Sequence, residues 1–397
     1  MITKQKAQFY CENIGIISLS GLLFLLPFAG TVTVKDLLFF LLAGSVIADA
    51  ILQPGSFQQQ ISKLRTLYII IIISFLWGFA SLLNAVDPSY SFSQVMTKMS
   101  KQYLLFFLAY FSFSKLPFET IKRMFIPFLC SVLAMSLYAC YQFYALPIPF
   151  DNRVTGFTGA FYRLATFLVI ATPIILVFTM LSRGWAKRVL LIGMLSVFAA
   201  LFFTFTRAAW VAVIAELCIL ILIFLKRYRK ALLALVVIGS MTFIMLSYTS
   251  IIPIRFILHG SEQPRLVALS RSIEVITKYP LTGIGYGKKT FSIYHPEVGE
   301  VLHAHNIFLN TAIETGIPGL LIFTLLLVVV FKDFLKGLRQ AVRPEQKIIL
   351  AGIFASCAGF LIINQFDFMY HGWPGQFFWL FIGIGYAIMK PAQSTGI

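Results

Sequence analysis

Two histidines lie close together in the segment His303-Ala304-His305-Asn306. Histidine is the side chain whose charge changes near neutral pH, so it is the usual general base in proteins. His305 is the candidate base. His303 is assigned a supporting role, because a residue two positions away points in another direction on a helix. The alternative is that hydrogen bonds hold His305 structurally at a helix start.

A polar stripe follows the histidines. On a helix that begins here, Asn306, Asn310 and Glu314 share one face, because they are four residues apart. Gly316 and Gly319 predict a break in that helix before a strongly apolar stretch. A polar stripe at the mouth of an apolar segment is a place where a substrate can bind.

Arg207 lies between two strongly apolar runs, 202–206 and 208–214. Ionisable groups are costly in such surroundings and often serve a function. The functional interpretation is a fixed cation that faces an anionic ligand at the outer membrane surface. The alternative is that Arg207 caps a tight turn and extends its guanidinium to the lipid headgroups.

The composition indicates that membrane-spanning helices hold these residues in place. Of 397 residues, 59% are hydrophobic and 12% are charged, which argues against a soluble protein. Because a membrane-spanning helix needs roughly 20 apolar residues, the apolar content suffices for about twelve. We therefore predict an all-α integral membrane protein with one membrane domain over residues 1–397. The predicted spans lie near 14–30, 37–53, 67–86, 103–114, 124–145, 164–182, 189–206, 208–225, 231–248, 306–331, 348–366 and 376–389.

The net charge of +17 has a topological explanation. If the N-terminus is cytoplasmic, most Lys and Arg residues fall in cytoplasmic loops, as the positive-inside rule requires. Both termini are then cytoplasmic, and the basic run 226–230 needs no nucleic-acid partner. The five cysteines form neither a disulfide framework nor a metal-ligand spacing.

One outer segment, residues 249–304, is much longer than the other loops, and long loops are usually functional. Within it, the region near 264–278 has apolar residues on one side and charged residues on another, which predicts a helix along the membrane surface. A loop helix packed against the bundle is an alternative that is compatible with the first.

Three motifs resemble those of the bacterial O-antigen ligases and the related Wzy-type O-antigen polymerases. The segment from His305 to Gly319 reads H-N-x9-G-x-x-G, and 204–207 is similar to the family's T-x-S-R, with Thr206 in place of serine. Arg265 and the segment Pro280 to Gly287 complete the likeness; this segment looks like the family's P-L-x-G-x-G-x-G. By motif, the resemblance covers roughly residues 150–330.

The resemblance implies a GT-C-type glycosyltransferase in the bacterial inner membrane, with its active site facing the periplasm and no metal or other cofactor. The donor would be a glycan on undecaprenyl diphosphate, and the acceptor a sugar hydroxyl of lipid A-core. Membrane lipids would be the remaining partners.

This chemistry assigns roles to the candidate residues. The acceptor hydroxyl must lose a proton, for which His305 is the base, and the diphosphate leaving group must be neutralised. Arginine binds phosphate through two parallel hydrogen bonds. Arg207 and Arg265 are assigned to the diphosphate, with Arg163 and Arg271 as weaker candidates. His303, Asn306, Asn310, Gly316 and Gly319 support the site.

Metal chemistry and other functions remain as alternatives. A zinc site at His303 and His305 lacks an evident third ligand, and the outer acids form no pair suited to Mg²⁺. A Wzy-type polymerase of O-antigen or capsule would use the same chemistry with another lipid-linked repeat unit as acceptor. A protein O-oligosaccharyltransferase is a further relative. Twelve spans also suit a secondary transporter or a flippase for a lipid-linked glycan, although no internal repeat is visible.

Overall fold

The computed structural model describes residues 2–146, 153–225, 262–296 and 303–389, and every regular element in these ranges is helical. This confirms the predicted all-α membrane class. The α-helices are α1 Ile2–Leu25, α2 Val32–Leu52, α3 Pro54–Lys63, α4 Arg65–Ala80, α5 Pro88–Gln94, α6 Ser100–Phe113, α7 Phe118–Ala145, α8 Phe161–Leu181, α9 Gly184–Phe203, α10 Arg207–Phe224, α11 Glu262–Lys278, α12 Thr290–Tyr294, α13 Ile307–Gln340, α14 Pro344–Ile363 and α15 Trp373–Ile388.

Eight helices of the described ranges are long and apolar enough to cross a membrane. The number becomes nine if α2 and α3, which meet at 111°, count as one bent span. The apolar helices α6 and α15 have 14 and 16 residues, and a π-turn, Val95–Met99, joins α6 to α5. The predicted span 231–248 lies outside the described residues, so the total of twelve stays a prediction.

Local sequence signals explain where several helices begin. Pro54, Pro88 and Pro344 occupy first-turn positions, where the fixed φ of proline suits a helix and its missing N–H is not needed. Asp87 caps α5 by accepting a hydrogen bond from the backbone N–H of Tyr90 at 2.9 Å. These signals determine where the helices begin and therefore where the preceding loops end.

The centre of the bundle is formed by α8 and α15, whose side chains are buried along most of their length. Aromatic rings fill this centre: the ring centroid of Phe128 is 5.6 Å from that of Phe377 and 5.8 Å from that of Phe167. Phe377 and Phe167 are fully buried. Large buried rings of this kind make a closely packed interior. The packed centre holds the helix ends in fixed positions.

The loops at one end of the bundle are hydrogen-bonded to one another, and we call this end the loop end. Their contacts tie segments that are far apart in sequence. The N···O pairs are Ala29–Phe157 at 2.7 Å, Val154–Phe203 at 3.2 Å, Val86–Ile284 at 3.0 Å and Ile307–Asn364 at 2.8 Å. Sequence-distant polar residues are therefore brought together here.

Helix α11 lies in the long outer segment, where the sequence predicts a helix. One face is buried and includes Ala268, Ser272 and Val275, whereas Leu266 and Ile273 are 65% and 55% exposed. Its buried face packs near α13, as the second of the two interpretations predicts. That the exposed apolar stripe lies on a membrane stays a prediction, and residues 249–261 and 297–302 lie outside the described part.

Candidate functional site

A break in α13 organises the loop end. Gly316 has φ 72° and ψ −179°, so the helix is interrupted where the sequence predicts a break. The interruption leaves backbone groups without helical partners. The segment 280–287 supplies them: the carbonyl oxygen of Ile313 accepts from the N–H of Ile284 at 2.9 Å, and Pro280 accepts from the N–H of Ile317 at 2.7 Å.

Two glycines permit this close approach. A Cβ on Gly316 would lie 2.2 Å from the carbonyl oxygen of Leu281, and one on Gly283 would lie 2.4 Å from that of Ile313. Both glycines have left-handed φ, which favours glycine. The two glycine motifs of the sequence therefore act as one interlocking unit of backbone.

Asn306 caps the N-terminus of α13. Its side-chain oxygen accepts hydrogen bonds from the N–H groups of Phe308 and Leu309 at 2.9 and 3.0 Å. Its Nδ2 donates to Oε1 of Gln365 at 3.0 Å. Asn306 therefore joins the start of α13 to the loop 364–372, in addition to its place beside His305 in sequence.

The two histidines face the same carboxylate. They lie in irregular backbone before α13, and their ring centroids are 4.5 Å apart. Nε2 of His303 and Nδ1 of His305 are each 3.7 Å from Oδ1 of Asp367. The expectation that His303 points elsewhere is wrong, because it assumed a helix and His305 adopts a left-handed φ of 52°.

Burial and neighbouring groups together determine the charge states in this cluster. Burial lowers the pKa of His303 to about 3, with the charges of His305 and Lys288 acting in the same direction and that of Asp367 opposing them. Burial alone would raise the pKa of Asp367, but the neighbouring imidazoles of His305 and His303 outweigh it and hold that pKa below its usual value. At neutral pH the cluster therefore has a neutral His303 and an anionic Asp367.

Lys288 interacts electrostatically with the cluster, and a second cation, Arg163, interacts with Lys288. Nζ of Lys288 lies 6.0 Å from the ring centroid of Tyr162, the residue before Arg163 at the start of α8. Burial lowers the pKa of Lys288, the charge of Asp367 opposes this, and the charge of Arg163 lowers it further. Half-buried Lys288 and exposed Arg163 thus give this part of the loop end a positive potential.

The other predicted arginines lie on α10 and α11. Arg207 is half-buried in the first turn of α10. It lies at the loop end, since Phe203, four residues before it, accepts a backbone hydrogen bond from Val154 there. Arg271, on α11, forms an ion pair with Glu274 at 2.8 Å. Arg265 is in the first turn of α11, and its side chain lies outside the described part.

Sequence reasoning missed Asp367 and Lys288. Each has a local signal: Asp367 lies among Asn364, Gln365 and His371 in an otherwise apolar region, and Lys288 directly follows the glycine segment. Neither signal indicates proximity to His305, which depends on the fold.

Part of the chain matches the model of a known protein family. Residues 190–324 match the family model described as O-antigen ligase. This region is therefore similar to the O-antigen ligase family. It includes Arg207, Arg265, Lys288, His303 and His305, and the resemblance predicted from the motifs is confirmed. Arg163 and Asp367 lie outside the matched range.

Other comparisons are weaker than this O-antigen ligase match. No curated protein matches the chain. A solved structure from work entitled "Structural coordination of polymerization and crosslinking by a peptidoglycan synthase complex" is similar, with a TM-score of 0.47 and 12% sequence identity. The similarity covers 82% of this chain and 96% of that chain.

The His303, His305 and Asp367 side chains could also offer ligand atoms to a metal ion. Their three atoms lie within 4.8 Å of one another, so Asp367 would be the third ligand of such a site. In a tetrahedral zinc site, bonds of about 2.0–2.1 Å place ligand atoms roughly 3.4 Å apart. The cluster would have to contract, and the positive charges of Lys288 and Arg163 favour an anion over another cation here.

Proposed function

We propose that this protein is an O-antigen ligase of the bacterial inner membrane. It transfers a glycan from undecaprenyl diphosphate to a sugar hydroxyl of lipid A-core, without a metal, on a GT-C-type fold. The observation that carries the proposal is the cluster of His303, His305 and Asp367 at the start of α13, with Lys288 close enough to interact electrostatically with it. The match of residues 190–324 to the O-antigen ligase family model supports it.

The orientation follows the distribution of charge. The end opposite the loop end holds Arg65, Lys115, Lys122, Arg183 and Lys347, which suits the cytoplasmic side under the positive-inside rule. Both termini are cytoplasmic in this arrangement, and the loop end faces the periplasm, where the lipid-linked donor and the acceptor meet.

His305 is the general base. Asp367 faces Nδ1 of His305, which leaves Nε2 to take the proton of the acceptor hydroxyl. The acceptor oxygen forms a bond to the anomeric carbon while the bond from that carbon to the diphosphate oxygen breaks. The carboxylate stabilises the imidazolium that forms, as in other histidine bases held by an acid.

The cations neutralise the leaving diphosphate. Lys288 interacts with His303 and Asp367, and Arg163 interacts with Lys288. Arg207 and Arg265 contribute from α10 and α11, with Arg271 as a weaker candidate. Charge-assisted hydrogen bonds from such groups to phosphate are roughly twice as strong as neutral ones. Positive charge fixed in place before the reaction is an effective way to stabilise developing negative charge.

Replacement of His305 tests this function in cells. In a strain whose own gene is deleted, the wild-type chain should restore lipopolysaccharide capped with O-antigen, and the His305→Ala variant should not. Immunoblotting of membranes verifies that the variant is inserted at the wild-type level. Normal capping by an inserted His305→Ala protein would refute the base assignment.

The phenotype of the deletion distinguishes the alternatives. Loss of all attached O-antigen indicates the ligase, whereas capping with a single repeat unit indicates a Wzy-type polymerase. Accumulation of lipid-linked glycan on the cytoplasmic face would indicate a flippase.

A further inference from the structure

A buried carboxylate lies between the two loops that form the candidate site. Glu314 is on α13, two residues before the break at Gly316, and its side chain is 3% exposed. Its Oε1 accepts a hydrogen bond from Nδ2 of Asn310 at 2.6 Å. Its Oε2 is 2.9 Å from Nε2 of His371. Each oxygen therefore begins a separate chain of contacts, which we call a branch: one runs through Asn310 and the other through His371.

The first branch reaches the histidines. Oδ1 of the buried Asn310 accepts a hydrogen bond at 3.1 Å from the backbone N–H of Ala304, the residue between His303 and His305. The irregular segment 303–305 is thereby attached to α13 through Asn310, whose orientation is fixed by Glu314.

The second branch reaches the carboxylate that faces the histidines. His371 is 4% exposed in its side chain and lies four residues after Asp367, in the same loop. The loop is fixed further by Asn364, whose Oδ1 accepts from the N–H of Met369 at 2.7 Å. Glu314 thus contacts the loop of Asp367 as directly as it contacts the branch to the histidines.

We infer that Glu314 is a positioning residue that holds the histidine segment and the Asp367 loop in register. The inference rests on the proposed function in that it takes His305 as the base. The imidazole of His305 and the carboxylate of Asp367 come from segments about sixty residues apart in sequence, and their separation depends on both attachments. A misplacement of about 1 Å in a site can lower a rate by about 10²-fold.

Packing alone does not account for a glutamate at this position. A carboxylate this deeply buried loses its hydration, which costs free energy even when it is paired. An apolar side chain could fill the same volume without that cost. The two directional contacts to Asn310 and His371 are what a carboxylate adds.

Four variants of the full-length protein test the inference. Glu314→Ala removes both contacts, and Asn310→Ala removes only the branch to the histidines. Glu314→Gln keeps an acceptor for Asn310 and replaces the acceptor that faces His371 with an amide donor, which a neutral His371 accepts at Nε2 when its proton is on Nδ1. Glu345→Gln is the matched control, because the side chain of Glu345 is 44% exposed and pairs with Lys122 at the opposite end.

The first measurement is the imidazole nitrogen NMR spectrum of ¹⁵N-histidine-labelled protein, without substrate. The second is the kcat and KM of glycan transfer. Glu314→Ala and Asn310→Ala should shift the signals of His303 and His305 and lower kcat about 10²-fold with little change in KM. Glu314→Gln should restore most of both, and Glu345→Gln should behave as wild type.

The inference is overturned if folded Glu314→Ala and Asn310→Ala proteins keep the wild-type signals of His303 and His305. It is also overturned if Glu314→Gln is as impaired as Glu314→Ala. If Glu314→Ala does not fold, the Asn310→Ala result decides, because that variant retains the Glu314–His371 contact. The spectra need no substrate, so a chain without transferase activity would contradict the proposed function while leaving this test valid.

Discussion

At the scale of single residues, backbone strain marks the candidate site. Among the described residues, Phe205 and His305 are the non-glycine residues with positive φ, 48° and 52°. Such conformations cost free energy and tend to occur at functional sites. Phe205 is two residues before Arg207, and His305 is the proposed base. Both strained positions therefore lie within sequence motifs, Phe205 in the segment 204–207 and His305 at the start of the H-N-x9-G-x-x-G segment.

The buried His303 predicts a loss of stability in mild acid. Its pKa in the folded protein is about 3, below its ordinary 6.5, so between these values the unfolded chain binds the proton and the folded chain does not. Stability should therefore fall as pH falls from about 6.5, by up to about 1.4 kcal/mol per pH unit from this group. Asp367, whose pKa is lowered, adds a loss only below its ordinary 3.8.

Thermal unfolding of the purified chain between pH 7 and pH 5 measures this effect. His303→Gln removes the titrating group, so its melting temperature should fall less over this range than that of the wild type. Parallel curves for the two proteins would show that His303 does not determine the acid sensitivity.

Lys288 is predicted to contribute to donor binding and turnover. Lys288→Ala should lower kcat/KM for the diphosphate donor about 10- to 100-fold, because a hydrogen bond to a charged group contributes about 1.5–3 kcal/mol. Lys289→Ala is the matched control, since this adjacent lysine is exposed. Equal effects of the two substitutions on transfer by purified protein would contradict a specific role for Lys288.

At the scale of elements, the site depends on the interlock between the break in α13 and the segment 280–287. We expect Gly316→Ala to disrupt it, because the added Cβ would lie 2.2 Å from the carbonyl oxygen of Leu281 and the left-handed φ is strained for alanine. Gly44→Ala, on α2 with nothing within 4 Å, is the control. The expected result is a clear drop in melting temperature for Gly316→Ala alone. Similar melting temperatures for both variants would rule out the interlock.

The sequence predicts those features of the site that depend only on residues close together along the chain. The glycine pattern predicts the break at Gly316, and the position of Asn306 before an apolar run predicts a helix start. The direction of His303 is predicted wrongly, because the pattern gave no sign of irregular backbone before α13. Asp367 and Lys288 could not be placed, since their approach to His305 results from helix packing between distant segments.

At the scale of the whole molecule, the proposed reaction requires the loop end to face the periplasm. The helical bundle fits a membrane, and the basic residues at the opposite end favour the cytoplasm there. The number of spans and the side on which each terminus lies remain predictions from the sequence.

Cysteine labelling in intact cells tests this orientation. In a variant without the native cysteines, Lys289→Cys at the loop end should react with a membrane-impermeant maleimide. Arg343→Cys, at the exposed start of α14, should react only after the cells are permeabilised. The reverse pattern would place the candidate site in the cytoplasm and exclude a periplasmic ligase.

Glycan transfer by the reconstituted protein tests whether the reaction proceeds without a metal and with His305 as the base. Purified protein is mixed with undecaprenyl-diphosphate-linked glycan and lipid A-core in the presence of EDTA and without nucleotide, and the glycosylated product is measured. We expect the wild type to form product and His305→Ala to lower the rate by about 10²- to 10⁴-fold. Product formation by His305→Ala at the wild-type rate, or a wild type that is active only when divalent metal is restored, would contradict this expectation.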